Sequence, residues 1–236
     1  VKAPGEPILK PKPLKGFSHK RAVYIPADSP SRFFGNVLEK RASRHKETPI
    51  GHFFLLDNTA VFYRSIGASS AVMGLEHLIA SGAEELMILG FCGALNPDFS
   101  CLDVVSITKA YSEEGTSNHY IPGKKVFHSS GALRQRIEET LGTRRLPFLQ
   151  GATVSTDAPF RETKIWLGDK QSKGLDVVDM EASAVFALGE YHGIPGAALM
   201  VVSDELTGKK WKNIFKYPRL NAHLKDYLLP FLEQNP

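Results

Sequence analysis

Leu175-Asp176-Val177-Val178-Asp179-Met180-Glu181-Ala182-Ser183-Ala184-Val185-Phe186-Ala187-Leu188-Gly189, followed shortly by Ala197-Ala198-Leu199-Met200-Val201-Val202-Ser203-Asp204, decides the fold. Leu175 to Val178 is a short apolar run and reads as a strand. Ala182, Val185, Phe186 and Gly189 then recur at the spacing of one helix face, which predicts a helix packed on a sheet. Ala197 to Val202 is apolar throughout, as a strand covered on both faces requires. This strand–helix–strand rhythm extends outward in both directions and is that of an α/β domain.

Toward the N-terminus, Ala22 to Ile25 reads as a buried strand. His52–Leu56 and Thr59–Arg64 read as a hairpin, with Asp57-Asn58 supplying the positive φ angles of its turn. Ala71, Leu75, Leu78 and Ile79 share a helix face that Gly82 can end in the left-handed conformation. Strands are expected at Leu86–Leu89, Leu102–Ile107 and Phe148–Val154, with a helix marked by Leu133, Ile137 and Leu141 and closed by Gly142. A last helix carries Leu220, Leu224, Tyr227, Leu228 and Phe231 on one stripe, with Pro230 bending or ending it. No linker interrupts residues 22–236, so they are expected to form one domain.

The 236 residues, 42% hydrophobic and 23% charged, exclude collagen-like, disordered and low-complexity classes. The net charge of +4 suggests a polyanion partner until it is located. Residues 1–21 hold six basic groups against the single acid Glu6, so the remaining chain is close to neutral. With Pro4, Pro7, Pro11 and Pro13, this leader is expected to be an extended basic arm. It has no uninterrupted apolar stretch of the signal-peptide kind, and no segment reaches the roughly 20 apolar residues of a membrane span. A soluble protein without membrane partners is expected. Cys92 and Cys101 make neither a disulfide framework nor a metal box, which points to a reducing compartment, the cytoplasm, and to no bound metal.

Open sheets bind ligands beyond the carboxyl ends of their strands. Five such ends combine small, acidic or hydroxyl residues: Pro26-Ala27-Asp28-Ser29-Pro30-Ser31-Arg32, Ser65-Ile66-Gly67-Ala68-Ser69-Ser70, Gly90-Phe91-Cys92-Gly93-Ala94, Asp179-Met180-Glu181-Ala182 and Val202-Ser203-Asp204-Glu205. Each alone also suits a helix cap. Taken in order, with Glu113-Glu114-Gly115-Thr116-Ser117-Asn118-His119-Tyr120, they resemble the nucleoside phosphorylase family. That family contains purine nucleoside phosphorylases, uridine phosphorylases and methylthioadenosine/adenosylhomocysteine nucleosidases. The resemblance implies a three-layer α/β/α sandwich around a mixed, twisted sheet, a homo-oligomer built from dimers, a small nucleoside as substrate and no cofactor beyond inorganic phosphate as a candidate co-substrate.

The resemblance also implies roles. Glu181 holds the ribose hydroxyls, since one carboxylate accepts from two vicinal hydroxyls, and Met180 lines the sugar pocket. His119 lies near the sugar. Asp204, with Ser203, protonates the departing base, which favours a purine-type base. Phe160 stacks on the base and Arg161 borders it. The competing reading keeps Met180 and Phe160 as core residues, Glu181 as a helix start and His119 as structural.

The anion half departs from the family. Its usual Arg and hydroxyl before the Cys/Thr-Gly-Ala turn are absent from Ile88-Leu89-Gly90-Phe91-Cys92-Gly93-Ala94, where Phe91 can fill the space. Arg32, Arg44 and Ser69 remain candidate phosphate ligands, Arg44 resembling an arginine lent across a dimer interface. Losing one charge-assisted contact costs about 1.5–3 kcal/mol, so three readings stay open. These are phosphorolysis, hydrolysis by water that Asp28 (or, less favoured, Glu113 or Glu114) activates, and nucleoside binding without cleavage. Lys209, Lys210, Lys212, Lys216 and Arg219, interleaved with Trp211, Phe215 and Tyr217, form a pattern that grips single-stranded nucleic acid. In the family this segment lies near the base, where Lys212 or Lys216 could assist the acid, and no nucleic-acid partner is expected.

Overall fold

Strand β1 (Arg21–Ile25) alternates its side chains between two cores, and that alternation sets the layering. Ala22 and Tyr24 pack on one side with α2 (Ala68–Ala80) and α6 (Ala182–His192). Val23 and Ile25 pack on the other with α1 (Phe33–Arg41), α4 (Gly131–Thr143) and α7 (Leu220–Tyr227). Strand β10 (Gly196–Glu205) divides in the same way, Ala198, Met200 and Val202 against Ala197, Leu199 and Val201. The expected three layers follow. The computed structural model describes residues 5–232 except 209, 216 and 218.

The sheet is mixed. β1 lies parallel between β4 (Thr59–Tyr63) and β5 (Glu85–Ala94), and β5 is in turn parallel to β10. β2 (Arg44–Thr48), β3 (Gly51–Leu56) and β4 run antiparallel to one another at one edge. The other half rolls up. β6 (Val104–Ser112) pairs antiparallel with β10 and parallel with β8 (Leu149–Ser155), β8 pairs with β9 (Val177–Asp179), and β9 returns antiparallel to β5. Because β5 also pairs with β10, these five strands close into a ring, and the ends of β5, β9 and β10 converge.

The hairpin turns at the expected place, with Asp57 at φ 41° but Asn58 outside the left-handed region, and Gly82, φ +111°, ends α2. Two expected boundaries move. α4 runs through Gly142 to Thr143, and the left-handed residue is Arg145, φ 57°, because the Leu146 N–H closes the helix on the Leu141 carbonyl at 3.0 Å. Leu102, φ 78°, is a turn residue, and its strand begins at Val104. The sequence pattern omitted α1, β2, the short α3 (Ser117–Tyr120), β7 (Val126–His128), α5 (Lys164–Ser172) and the two-residue β11 (Lys212–Asn213). β2 is Arg-His-Lys-Glu-Thr, a polar edge strand without apolar alternation.

Residues 5–20 form neither helix nor strand, yet Leu14 and Phe17 are buried in the same core as Leu75 and Leu78. The Leu14 N–H donates to the Ser81 hydroxyl at 2.7 Å, so part of the basic leader is seated against the end of α2. Among the described residues no helix is long and apolar enough to cross a membrane.

Candidate active site

The ends of β5, β9 and β10 open on a cavity of about 210 Å³. Met180, Glu181, Ser203, Asp204, Cys92, Gly93, Phe91 and Ile66 are among its lining. The two carboxylates singled out from the sequence therefore share one pocket.

Asp179 builds its floor. It is buried and accepts from the hydroxyls of Thr153 (3.0 Å) and Ser155 (2.7 Å) and from the backbone N–H groups of Glu181 (2.8 Å) and Ala182 (2.6 Å). Burial raises the Asp179 carboxyl above its ordinary value, and these four donors, which meet it at the start of α6, oppose that rise. Glu181 is as buried but meets fewer donors, the Gly67 N–H at 2.6 Å and, more weakly, the Met180 N–H. Burial, with Asp179 beside it, pushes the Glu181 carboxyl up to about 8. Gly67 sits at φ +100°, a conformation that L side chains rarely adopt, and this is what points its N–H at the carboxylate.

Asp204 is aimed by a bulge. Along β5, Val202 opposes Cys92 and Asp204 opposes Gly93, so Ser203 is the extra residue, and such an insertion bends a strand and redirects its side chains. The Ser203 hydroxyl lies 2.7 Å from Asp204 Oδ1, and the Trp211 indole N–H donates to Oδ2 at 2.8 Å. A Cβ on Gly93 would stand 3.2 Å from Asp204 Oδ2 and 2.8 Å from the Leu206 side chain, so a larger residue there would crowd the carboxylate and press on Leu206.

The other expected site residues lie elsewhere. Asp28 accepts from the backbone N–H groups of Ser29 (2.7 Å), Phe34 (3.1 Å) and Gly35 (2.9 Å) and from the Tyr63 hydroxyl (2.7 Å). It ties the first turn of α1 to β4 and does not line the cavity. Arg32 precedes α1 in the left-handed conformation and reaches back to Glu39 at 2.6 Å, both side chains half exposed. Arg44, on the polar edge strand, lies against Gly16 of the leader. Ser69 is exposed in the first turn of α2, and His119 is exposed on α3. Phe160, 99% exposed, flanks a neighbouring cleft of about 600 Å³ opposite Trp211, and Arg161 lines a third cavity of about 460 Å³. Phe160 shares the larger cleft with Asp204, and none of the seven lines the cavity that holds both Glu181 and Asp204. Lys212 pairs with Glu205 at 2.7 Å rather than with Asp204, and Lys209 and Lys216 lie outside the described residues. Of the less favoured water activators, Glu113 is held by Lys170 and Trp166, and Glu114 is buried among Ser112, Ser117 and Ser183.

Phe91 lines the cavity where the sequence lacks the anion-binding hydroxyl, its ring edge-on to Phe215 at 6.1 Å. Two participants were not assigned from sequence. Gly67 stands in the Ser65–Ser70 strand end, where the sequence assigns it no role. Glu162, next to Arg161, lines all three adjoining cavities, and no motif marks it. Among the described residues no three His, Cys, Asp or Glu side chains gather as a metal site.

Fold and pocket together define an α/β domain with a carboxylate-lined cavity at converging strand ends. The chain belongs to the phosphorylase superfamily, whose model matches residues 37–233. A guanosine phosphorylase of Halorubrum lacusprofundi is 30% identical over 164 residues, 68% of this chain and 67% of the relative. A DeoD-type purine nucleoside phosphorylase of Mycoplasma genitalium is 29% identical over 126 residues, 52% of this chain and 53% of the relative. The chain thus spans from about half to two thirds of these two relatives' length. In fold it is similar to the 5′-methylthioadenosine/S-adenosylhomocysteine nucleosidase of Campylobacter jejuni, with a TM-score of 0.75, 17% identity, and 91% of this chain and 98% of that chain covered. The purine nucleoside phosphorylase of Toxoplasma gondii gives a TM-score of 0.69 at 20% identity, with 85% of each chain covered.

Proposed function

We propose that the protein cleaves the N-glycosidic bond of a purine-type nucleoside in the cavity between β5, β9 and β10. The single observation that carries this reading is that Glu181 and Asp204, from the ends of two different strands, line one pocket. Glu181 meets the Gly67 and Met180 backbone N–H groups and keeps lone pairs to spare for the ribose hydroxyls, with Met180 against the sugar. As the C1′–N9 bond breaks, positive charge grows on the sugar, which Glu181 stabilises once its proton has left. The electron pair passes to the base, where Asp204 delivers a proton to N7. The names of the sequence relatives support the same reaction class.

Those relatives are phosphorylases, which supports inorganic phosphate as the acceptor of the sugar. Hydrolysis is the second reading, favoured by one observation: Arg32, Arg44 and Ser69 lie outside the cavity, and Phe91 occupies part of its wall. The unpaired Cys92 and Cys101 support a reducing compartment. The family supports a homo-oligomer, in which Arg44 could meet a neighbouring pocket. Release of free base from a panel of purine and pyrimidine nucleosides, with and without phosphate, tests the reading. Phosphate-dependent release establishes phosphorolysis and phosphate-independent release establishes hydrolysis. Binding of a nucleoside without any release overturns the enzyme reading.

A further inference from the structure

Glu162 follows the short 3₁₀ turn Pro159–Arg161 and stands where three cavities meet. Two of them, the pocket of Glu181 and the larger cleft beside it, are also lined by Asp204. Among the described residues no cation or hydrogen-bond donor partners its carboxyl. The charged groups around it are committed elsewhere or are exposed. Lys164 donates to the carbonyls of Leu206 (3.0 Å) and Gly208 (2.9 Å), and Glu113 is held by Lys170 and the Trp166 indole. Arg161 is exposed, Lys125 lines only the outer cavity, and Asp179 and Glu181 lie across the inner pocket. A half-buried carboxylate without a counter-ion, facing a second carboxylate, is unstable as an anion.

We propose that Glu162 and Asp204 act as a pair in which Glu162 stores the proton that Asp204 hands to the departing base. The inference rests on the reading of Asp204 as the leaving-group acid and gives that acid its source. Burial, and then the charge of Asp204, push Glu162 up to about 7, so it holds a proton where an ordinary glutamic acid has lost it. In the step itself the C1′–N9 bond breaks with its electrons moving onto the base. Glu162 gives its proton to the ionised Asp204, which passes it to N7, while an oxygen of phosphate, or of a water that loses a proton to solvent, bonds to C1′. Solvent reprotonates Glu162 from the open outer cavity before the next turnover. Glu162 acts through Asp204 and is therefore a positioning residue for the proton.

The test has two arms. In the full chain labelled with ¹³C at the glutamate carboxyl, and assigned with Glu162→Gln, the Glu162 resonance is expected to titrate near neutrality and to move down in Asp204→Asn. A midpoint in the usual carboxylate range, or one unmoved by Asp204→Asn, overturns the pair. In turnover, Glu162→Gln is expected to lower kcat about 10-fold or more at pH 7, with KM within about threefold, and to erase the fall of kcat with rising pH. Glu162→Asp restores part of both. An unchanged kcat and pH profile in Glu162→Gln also overturns the proposal, and should that variant not fold, the titration of the wild type and Asp204→Asn decides. If Asp204→Asn releases base at the wild-type rate, the leaving-group reading falls, while the titration still decides whether the two carboxyls form a pair.

Discussion

Asp28 and Glu181 stand at the same edge of the sheet, each where a helix begins, and they differ in how many donors they meet. Asp28 accepts four hydrogen bonds that fasten the first turn of α1, whereas Glu181 meets only the Gly67 and Met180 backbone N–H groups and borders the cavity. A saturated carboxylate has spent its lone pairs on structure. One short of donors keeps capacity for a ligand and resists ionisation until the ligand, or rising pH, compensates it. The same contrast separates Arg32, satisfied by Glu39, from Asp204, which Trp211 and Ser203 orient but do not cover from the pocket.

The largest effect belongs to Glu181. Glu181→Ala removes two charge-assisted contacts to the sugar and is expected to lower kcat/KM by about 10²- to 10⁴-fold, measured as base release. Glu181→Gln should do nearly as much while stabilising the fold at alkaline pH. The native carboxyl titrates at about 8 against 4.5 when unfolded, so the folded chain binds more protons between those values. Its contribution to stability is intact below about pH 4.5, declines as pH rises, and is lost above 8. Urea unfolding should then show the Gln variant ahead by about 1–3 kcal/mol at pH 8.5 and level with wild type at pH 4. An equal difference at both pH values breaks the assignment of the proton to Glu181.

Asp28→Ala comes next, and its effect is on stability. Leaving the Phe34 and Gly35 N–H groups and the Tyr63 hydroxyl without their acceptor should cost about 2–4 kcal/mol in urea unfolding. Base release per folded molecule should stay within about threefold for Asp28→Asn. A fall of about 100-fold, at unchanged thermal midpoint, would return Asp28 to the role of water activator. The smallest effects belong to Arg32→Ala and Arg44→Ala. As exposed side chains outside the cavity they should change the apparent KM for phosphate, or the rate in its absence, by less than about threefold. A rise of 30-fold or more in the KM for phosphate in either variant would show that assembly or substrate binding brings that arginine into the pocket.

Much of this fold is legible along the chain because burial leaves a periodic trace. The fully apolar run of β10, the helical stripe of α6 and the Asp-Asn turn at 57–58 are local patterns, and each forms where its pattern lies. α1, β2 and α5 leave no such trace, since only Phe34, Gly35 and Leu38 of α1 and Leu167 and Lys170 of α5 are buried, and β2 is a polar edge. In the site, Met180, Glu181 and Asp204 are readable as strand-end residues with chemistry to offer. Phe160 shows the limit, being 99% exposed although its residue type suits a core or a stacked base equally well.

Residue order by itself determined which side chains end the strands, because a strand's register and length depend on neighbours in sequence and on alternation. Tertiary structure alone decided which of those ends meet. Closure of β5, β9, β8, β6 and β10 into a ring brings Glu181, Asp204 and Glu162 around one void, and the bulge at Ser203 turns Asp204 into it. The same packing gives Asp28 four donors and leaves Glu181 with fewer, and those from backbone alone. Charge state and reach are properties of an environment assembled from distant segments, which no local pattern encodes.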